Sequence, residues 1–291
     1  MSHDLEGIAN ALVAEGKGIL AADETVPTLT KRFDSLGIPS TEQSRRTYRE
    51  MLFTAAGEAE FISGVILQDE TIHQKSADGT PLIQVLSKQG ILPGIKVDTG
   101  AKPLAGFPGE TVTEGLDGLR ERLSAYRDMG ARFAKWRAVI HISDALPSRP
   151  CMSANAHALA RYAALCQEQD LVPIVEPEVL MDGSHSIERC DEVTGVVLHV
   201  VFDALFEQRV VLECMLLSRV EDWRAGLGRS LCSPLSRSFV CECHSISTMP
   251  TFPVPATSNA VCGFPALRSP ACFTSRVMGP ILLGRLSTAV A

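Results

Sequence analysis

Through residues 1–217, short apolar runs alternate with longer amphipathic stretches, and that alternation leaves few folds open. Six runs read as strands: Gly18–Asp23, Ser63–Gln68, Gly94–Asp98, Arg132–Arg137, Val172–Glu176 and Val210–Leu217. Between them, helices are predicted over Thr41–Thr54, Leu116–Met129, Asn155–Gln169 and Ile187–Gln208. Ser40 and Gln43 have the spacing of a capping box for the first. Strands that alternate with helices pair in parallel through crossover connections. About six such units suit either an open doubly wound sheet or most of a (β/α)8 barrel.

The polar residues favour the barrel. Asp23, Lys96, Lys135, Arg137, Glu176 and Glu178 all fall at or near the C-terminal ends of strand candidates. In a barrel those ends meet at one mouth, where chemistry is placed. No G-x-G-x-x-G or G-x-x-x-x-G-K-[ST] pattern supports a nucleotide-binding sheet.

Composition breaks at residue 218. All seven lysines lie at or before Lys135. Residues 218–291 hold seven Arg, seven Pro, eleven Ser and five Cys, but only three acidic residues, Glu221, Asp222 and Glu242. The formal charge is near −11 before the break and near +4 after it. Prolines interrupt any helical period in this tail, so it is expected to be irregular chain. The division is therefore 1–217 as a (β/α) barrel portion and 218–291 as an unassigned segment.

A net charge of −7 argues against nucleic acid as partner, since that affinity rests on clustered Lys and Arg. The N-terminus has no basic region leading into an apolar run, so no signal peptide is expected. No stretch reaches 18 apolar residues, so no membrane span is predicted and the cytoplasm is the default. The nine cysteines follow no metal pattern; Cys241 and Cys243 form a lone C-x-C beside His244.

Several residues carry two readings each. Lys135 and Arg137 are two apart on a strand and share a face. Buried cations need partners, and Glu176 and Glu178 have the same spacing on the neighbouring strand. Together they read as a structural ion-pair network or as catalytic machinery. Lys96, in an otherwise apolar strand, is a phosphate ligand or a nucleophile, or it points outward into a salt bridge. Asp23 is a helix cap or a carboxylate in the mouth. His185, in a turn after Asp182-Gly183-Ser184, reads as solvated.

Longer motifs carry a family resemblance. Gly-Ile-Leu-Ala-Ala-Asp-Glu (18–24), Lys31-Arg32, Gly-Val-Ile-Leu (64–67), Gly-Ile-Lys-Val-Asp (94–98) and Gly-Leu-Asp-Gly-Leu (115–119) resemble class I fructose-1,6-bisphosphate aldolases. Phe-Ala-Lys-Trp-Arg (133–137), Val-Pro-Ile-Val-Glu-Pro-Glu (172–178) and Met-Asp-Gly-x-His (181–185) do so too. The resemblance covers residues 1–217. It implies a (β/α)8 barrel, cytoplasmic glycolysis, a homotetramer and no metal or other cofactor. The implied substrate is a phosphosugar, fructose 1,6-bisphosphate, split into dihydroxyacetone phosphate and glyceraldehyde 3-phosphate through a lysine Schiff base. By resemblance, Asp23 assists cleavage and Glu176 is the main acid/base. Glu178 holds the charge network. Lys96 and Lys135 bind phosphate and hydroxyl oxygens, and Lys135 also tunes the nucleophile. Arg137 helps bind one phosphate, and Lys31 and Arg32 line the other end.

The chain departs from the family at the nucleophile. The family's sixth strand reads Leu-Glu-Gly-x-Leu-Leu-Lys-Pro-Asn, whereas this chain reads Leu212-Glu-Cys-Met-Leu-Leu-Ser-Arg-Val220. The Schiff-base position is Ser218, and serine cannot form an iminium. No lysine stands anywhere in residues 136–291 to replace it. Losing one nucleotide from codons for Lys-Pro yields Ser-Arg, so residues 218–291 read as the product of a shifted frame. Re-sequencing codons 210–225 tests this: an unbroken frame with no remnant of the family's end nearby would defeat it. An incomplete barrel of six units is expected to leave its first and sixth strands as edges.

Overall fold

The computed structural model describes residues 2–218. Expectations for the tail, the Cys241/Cys243/His244 group included, lie outside those residues. In chain order the elements are α1 (Ser2–Leu12), β1 (Gly18–Ala21), α2 (Val26–Asp34), α3 (Glu42–Phe53), α4 (Glu58–Phe61) and β2 (Ile62–Leu67). Then follow α5 (Asp69–His73), α6 (Leu82–Lys88), β3 (Leu92–Lys96), β4 (Ala101–Pro103), β5 (Thr111–Thr113) and α7 (Leu119–Met129). The last are β6 (Phe133–Ile140), α8 (Arg149–Glu168), β7 (Val172–Val179), α9 (Ile187–Glu207) and β8 (Leu216–Leu217). No helix among the described residues is long and apolar enough to cross a membrane.

Strand order settles the choice left open by the sequence. The main sheet runs β1-β2-β3-β6-β7-β8, and every pairing in it is parallel. A doubly wound sheet reverses direction at a switch point. This sheet never reverses, so it winds one way as a barrel wall does. Among the described residues, β1 and β8 each pair on one side only. The described fold is therefore α/β, a curled portion of a (β/α)8 barrel.

The period-2 alternation of the strands sorts side chains into two layers. Val65, Leu67, Ile95, Ala134, Trp136, Ala138, Ile140, Val175 and Leu217 join the helices in one large core. The alternate residues Ile66, Phe133, Val172, Ile174 and Leu216 face the other way and meet Leu5, Ile8, Ala9 and Leu12 of α1. Thus α1 packs against the inner face, while the crossover helices cover the outer one. Glycine is required where the inner layer is tightest. A Cβ on Gly94 would lie 2.2 Å from the Phe133 ring, and one on Gly64 would lie 2.6 Å from Leu12 Cδ2. Phe133 is fully buried, so its ring must shift for that Cβ to fit. Gly94→Ala is therefore expected to cost about 1–3 kcal/mol. A thermal melt should show Tm falling by about 2–4 °C per kcal/mol, and an unchanged Tm would mean that the ring has room to move.

Four expectations need correction. The capping box of α3 is Thr41 with Ser44, not Ser40 with Gln43. Thr41 N donates to Ser44 Oγ at 2.9 Å and Ser44 N donates to Thr41 Oγ1 at 3.1 Å. Ser40 Oγ instead accepts from Thr30 Oγ1 at 2.8 Å. Helix α8 starts at Arg149 rather than Asn155, because Ser148 caps it and Pro150 suits a first turn. The sixth strand is only Leu216–Leu217, preceded by a 3-10 turn over Leu212–Cys214. The Gln167 side chain explains this: it donates to Val211 O at 2.7 Å and accepts from Val211 N at 2.9 Å. That backbone is tied to α8 and has no free edge for a strand ladder. Finally, His185 is half-buried, with Nδ1 enclosed and unpaired, rather than freely solvated.

One buried carboxylate lies away from the strand ends. Glu58, the first residue of α4, is buried, and neither carboxylate oxygen has a hydrogen-bond partner. Burial pushes its pKa up to about 7. The folded state then keeps a proton that the unfolded chain releases near pH 4.3. The contribution of Glu58 to stability is therefore greatest below about pH 4 and declines as pH rises toward 7. Glu58→Gln is expected to stabilise the protein by about 2 kcal/mol at pH 8 and by almost nothing at pH 4. Urea unfolding of both proteins at the two pH values measures this; parallel pH profiles would assign the slope to other groups.

Candidate active site

Along each inner strand face, apolar residues give way to charged ones in the N-to-C direction. On β6 the order is Phe133, Lys135, Arg137; on β7 it is Val172, Ile174, Glu176, Glu178; on β3 and just past it, Gly94, Lys96, Asp98. Register brings these ends level. Lys96 pairs with Lys135, and Arg137 pairs with Glu176. The charged groups therefore collect at one end of the sheet, above the layer capped by α1.

Lys135 is the centre of the cluster. Its Nζ lies 2.9 Å from Glu176 Oε2 and 3.4 Å from Asp23 Oδ2, in the loop after β1. Burial pushes Lys135 toward the neutral amine, but Glu176 and then Asp23 outweigh it and hold the ammonium above its ordinary range. The carboxylate side bears the cost. Burial raises Glu176 against the pull of Lys135, and the charges of Glu178 and Asp23 add to the rise. A carboxylate with a raised proton affinity, in contact with a fixed ammonium, is equipped to accept and return a proton.

Arg137 runs beside this pair. Its guanidinium bonds Glu178, and Nε is 4.0 Å from Glu176 Oε1. Lys96 is paired with Asp98. Asp98 also accepts from Arg137 N at 3.3 Å and from Gly100 N at 3.1 Å. Ser218 N donates to Val175 O at 2.9 Å. One residue past the Val175–Leu217 pair, Ser218 stands level with Glu176. Lys31 and Arg32 project from α2 and are exposed; Arg32 pairs with Glu24. The structure thus brings Asp23, Lys135, Arg137, Glu176 and Glu178 into direct contact. Lys96 is tied in through Asp98, while Lys31 and Arg32 stand off on α2.

Three residues of this network escaped the sequence reading. Asp98 had a usable signal, because its spacing of two from Lys96 puts both on one face. Glu24 had only its place beside Asp23. Arg49, which pairs with Glu24, lies on α3 with Arg45 and Phe53, and the 45–49–53 spacing marks the buried face. A charged residue at that spacing gives no hint of its partner.

A separate cleft of about 410 Å³, lined by Leu92, Pro93, Arg132 and Asp170 among others, opens at the N-terminal strand ends, away from this cluster. Among the described residues, no group of three His, Cys, Asp or Glu side chains is arranged to hold a metal ion.

The family model described as "Fructose-bisphosphate aldolase class-I" matches residues 4–221. The chain is 62% identical over 215 residues to a "Probable fructose-bisphosphate aldolase class 1" of Xanthomonas campestris pv. campestris, covering 74% of this chain and 64% of that protein. It is 53% identical over 214 residues to "Fructose-bisphosphate aldolase 6, cytosolic" of Arabidopsis thaliana, covering 73% and 60%. A solved structure of fructose-bisphosphate aldolase from Plasmodium falciparum, in complex with TRAP and a small-molecule inhibitor, superposes with a TM-score of 0.73 at 49% identity, covering 74% and 63%. The chain spans less than two thirds of the length of each of these relatives. With the family model matched across residues 4–221, the chain belongs to the class I fructose-bisphosphate aldolase family.

Proposed function

We propose that the charged cluster is a fructose 1,6-bisphosphate site of the class I aldolase type, and that this chain stops short of the covalent step because position 218 is serine. The observation that carries the reading is Lys135 held between Glu176 and Asp23 at the strand ends of a class I aldolase barrel portion. In the full reaction a neutral lysine amine adds to the substrate ketone. The carbinolamine loses water to an iminium, which draws the electron pair of the breaking C–C bond. Glu176 is the group to move protons in the dehydration, and Asp23 assists cleavage. Lys135 supplies the cation that keeps a neighbouring amine neutral. Lys96 and Arg137 hold phosphate and hydroxyl oxygens, with Lys31 and Arg32 at the other end. Glu178 anchors Arg137.

A hydroxyl at 218 adds to a ketone only as a hemiketal, which offers no electron sink. Binding without cleavage is therefore the behaviour expected of this chain. Sodium borohydride reduction in the presence of fructose 1,6-bisphosphate, read by intact mass, should give no triose adduct, while calorimetry should show saturable binding. An adduct would overturn the block at 218, and absence of binding would overturn the phosphosugar reading.

The same reading separates residues 1–217, the aldolase-like portion, from 218–291, and the family match ending at residue 221 supports that division. It also places the protein in the cytoplasm, supported by a relative whose name is cytosolic. The homotetramer is expected by kinship, and sedimentation velocity would test it.

A further inference from the structure

Glu24 is shared between two arginines of very different exposure. Its Oε1 pairs with Arg32, whose side chain is 50% exposed at the rim. Its Oε2 is 2.5 Å from Arg49 Nη1, and Arg49 Nη2 donates to the Glu24 backbone oxygen at 3.0 Å. Arg49 is only 1% exposed, and its Nε is enclosed without a partner. Tyr48 packs beside it, the Arg49 guanidinium carbon lying 5.4 Å from the ring centroid. One guanidinium is thus buried, and the other is exposed at the rim, beside Tyr48 as well as Glu24.

We infer that Glu24 is a built-in counter-ion that competes with a ligand's phosphate dianion for Arg32, and that Arg49 is the positioning residue that keeps Glu24 neutralised once Arg32 is released. The inference rests on the reading of Arg32 as a phosphate contact. A phosphate dianion brings more charge and three acceptor oxygens, so it can displace one carboxylate. A neutral sugar cannot. Arg49 makes the exchange possible, because a half-buried carboxylate stripped of every cation would resist it. The pair of arginines therefore selects ligands that carry a phosphate dianion at this end of the mouth.

The test is a double-mutant cycle on the full chain, with fructose 1,6-bisphosphate and inorganic phosphate as separate probes in calorimetry. Glu24→Gln is expected to tighten binding on the order of fivefold, the scale of an exposed ion pair. In an Arg32→Gln background the same change should give no gain. Arg49→Lys should weaken binding, and adding Glu24→Gln to it should restore binding, a rescue that a folding defect would not permit. Should only inorganic phosphate bind and respond in this pattern, the counter-ion role stands and the aldolase-substrate reading falls. Weaker or unchanged binding in Glu24→Gln, equal tightening in both backgrounds, or no response to either anion would overturn the inference.

Discussion

Replacing Lys135 with methionine is expected to cost about 3–5 kcal/mol of stability, the usual penalty for breaking a buried ion pair from one side. Methionine fills much of the volume, so the loss is electrostatic rather than steric. Glu176 is 3% exposed and would lose its 2.9 Å partner, and Asp23 would lose its 3.4 Å partner at the same time. Arg137 does not compensate, since its nearest approach to Glu176 is 4.0 Å and its guanidinium is committed to Glu178. Two controls separate this from generic core damage. Lys135→Met combined with Glu176→Gln should recover a large part of the loss, because no bare carboxylate remains. The deficit of the single variant should also shrink at acid pH. Glu176, already raised by burial, then takes up a proton instead of holding an unpaired charge. Urea unfolding at pH 5 and pH 8 measures both. A deficit that ignores both pH and the second substitution would mean that the cluster is held by packing alone.

The second large effect is a gain. Ser218→Lys is expected to convert a chain that yields no borohydride-trapped adduct into one that yields a stoichiometric reduced triose adduct with fructose 1,6-bisphosphate or dihydroxyacetone phosphate. Position 218 follows β8 and stands level with Glu176, so a lysine there enters the cluster from the adjoining strand. Lys135, kept as an ammonium by Glu176 and Asp23, would disfavour a second charge close by and hold the new amine neutral enough to attack. Adding Lys135→Met to Ser218→Lys should therefore move adduct formation to higher pH. Intact-mass analysis across pH 6–9 reads both. If Ser218→Lys forms no adduct while still binding the phosphosugar, the loss of chemistry lies in more than this one side chain.

Much of the architecture was legible because strands announce themselves by a period of two. The same period that lines up Phe133, Lys135 and Arg137 on one face puts Ala134, Trp136 and Ala138 on the other. Glu176 and Glu178 could be matched to Lys135 and Arg137 by spacing alone. The sixth strand was misread for a physical reason. Val210–Leu217 has the composition of a strand, but Gln167, more than forty residues away in the chain, claims the backbone groups of Val211. Helix α1 was missed, and its inner-face packing has no signature in its own sequence, because an amphipathic stripe looks the same whichever side of a sheet it covers.

The sequence by itself determined the α/β class, the family, the identity of the charged strand-end residues and the serine at 218. Each of these is a local pattern or a side-chain identity that needs no knowledge of distant neighbours. Only the tertiary structure decided that the wall winds one way, that α1 lies on its inner face, and which carboxylate each cation takes. It alone placed Glu24 between an exposed and a buried arginine. Partner choice in a low-dielectric interior depends on ångström-scale distances between residues up to 112 positions apart, as for Lys135 and Asp23.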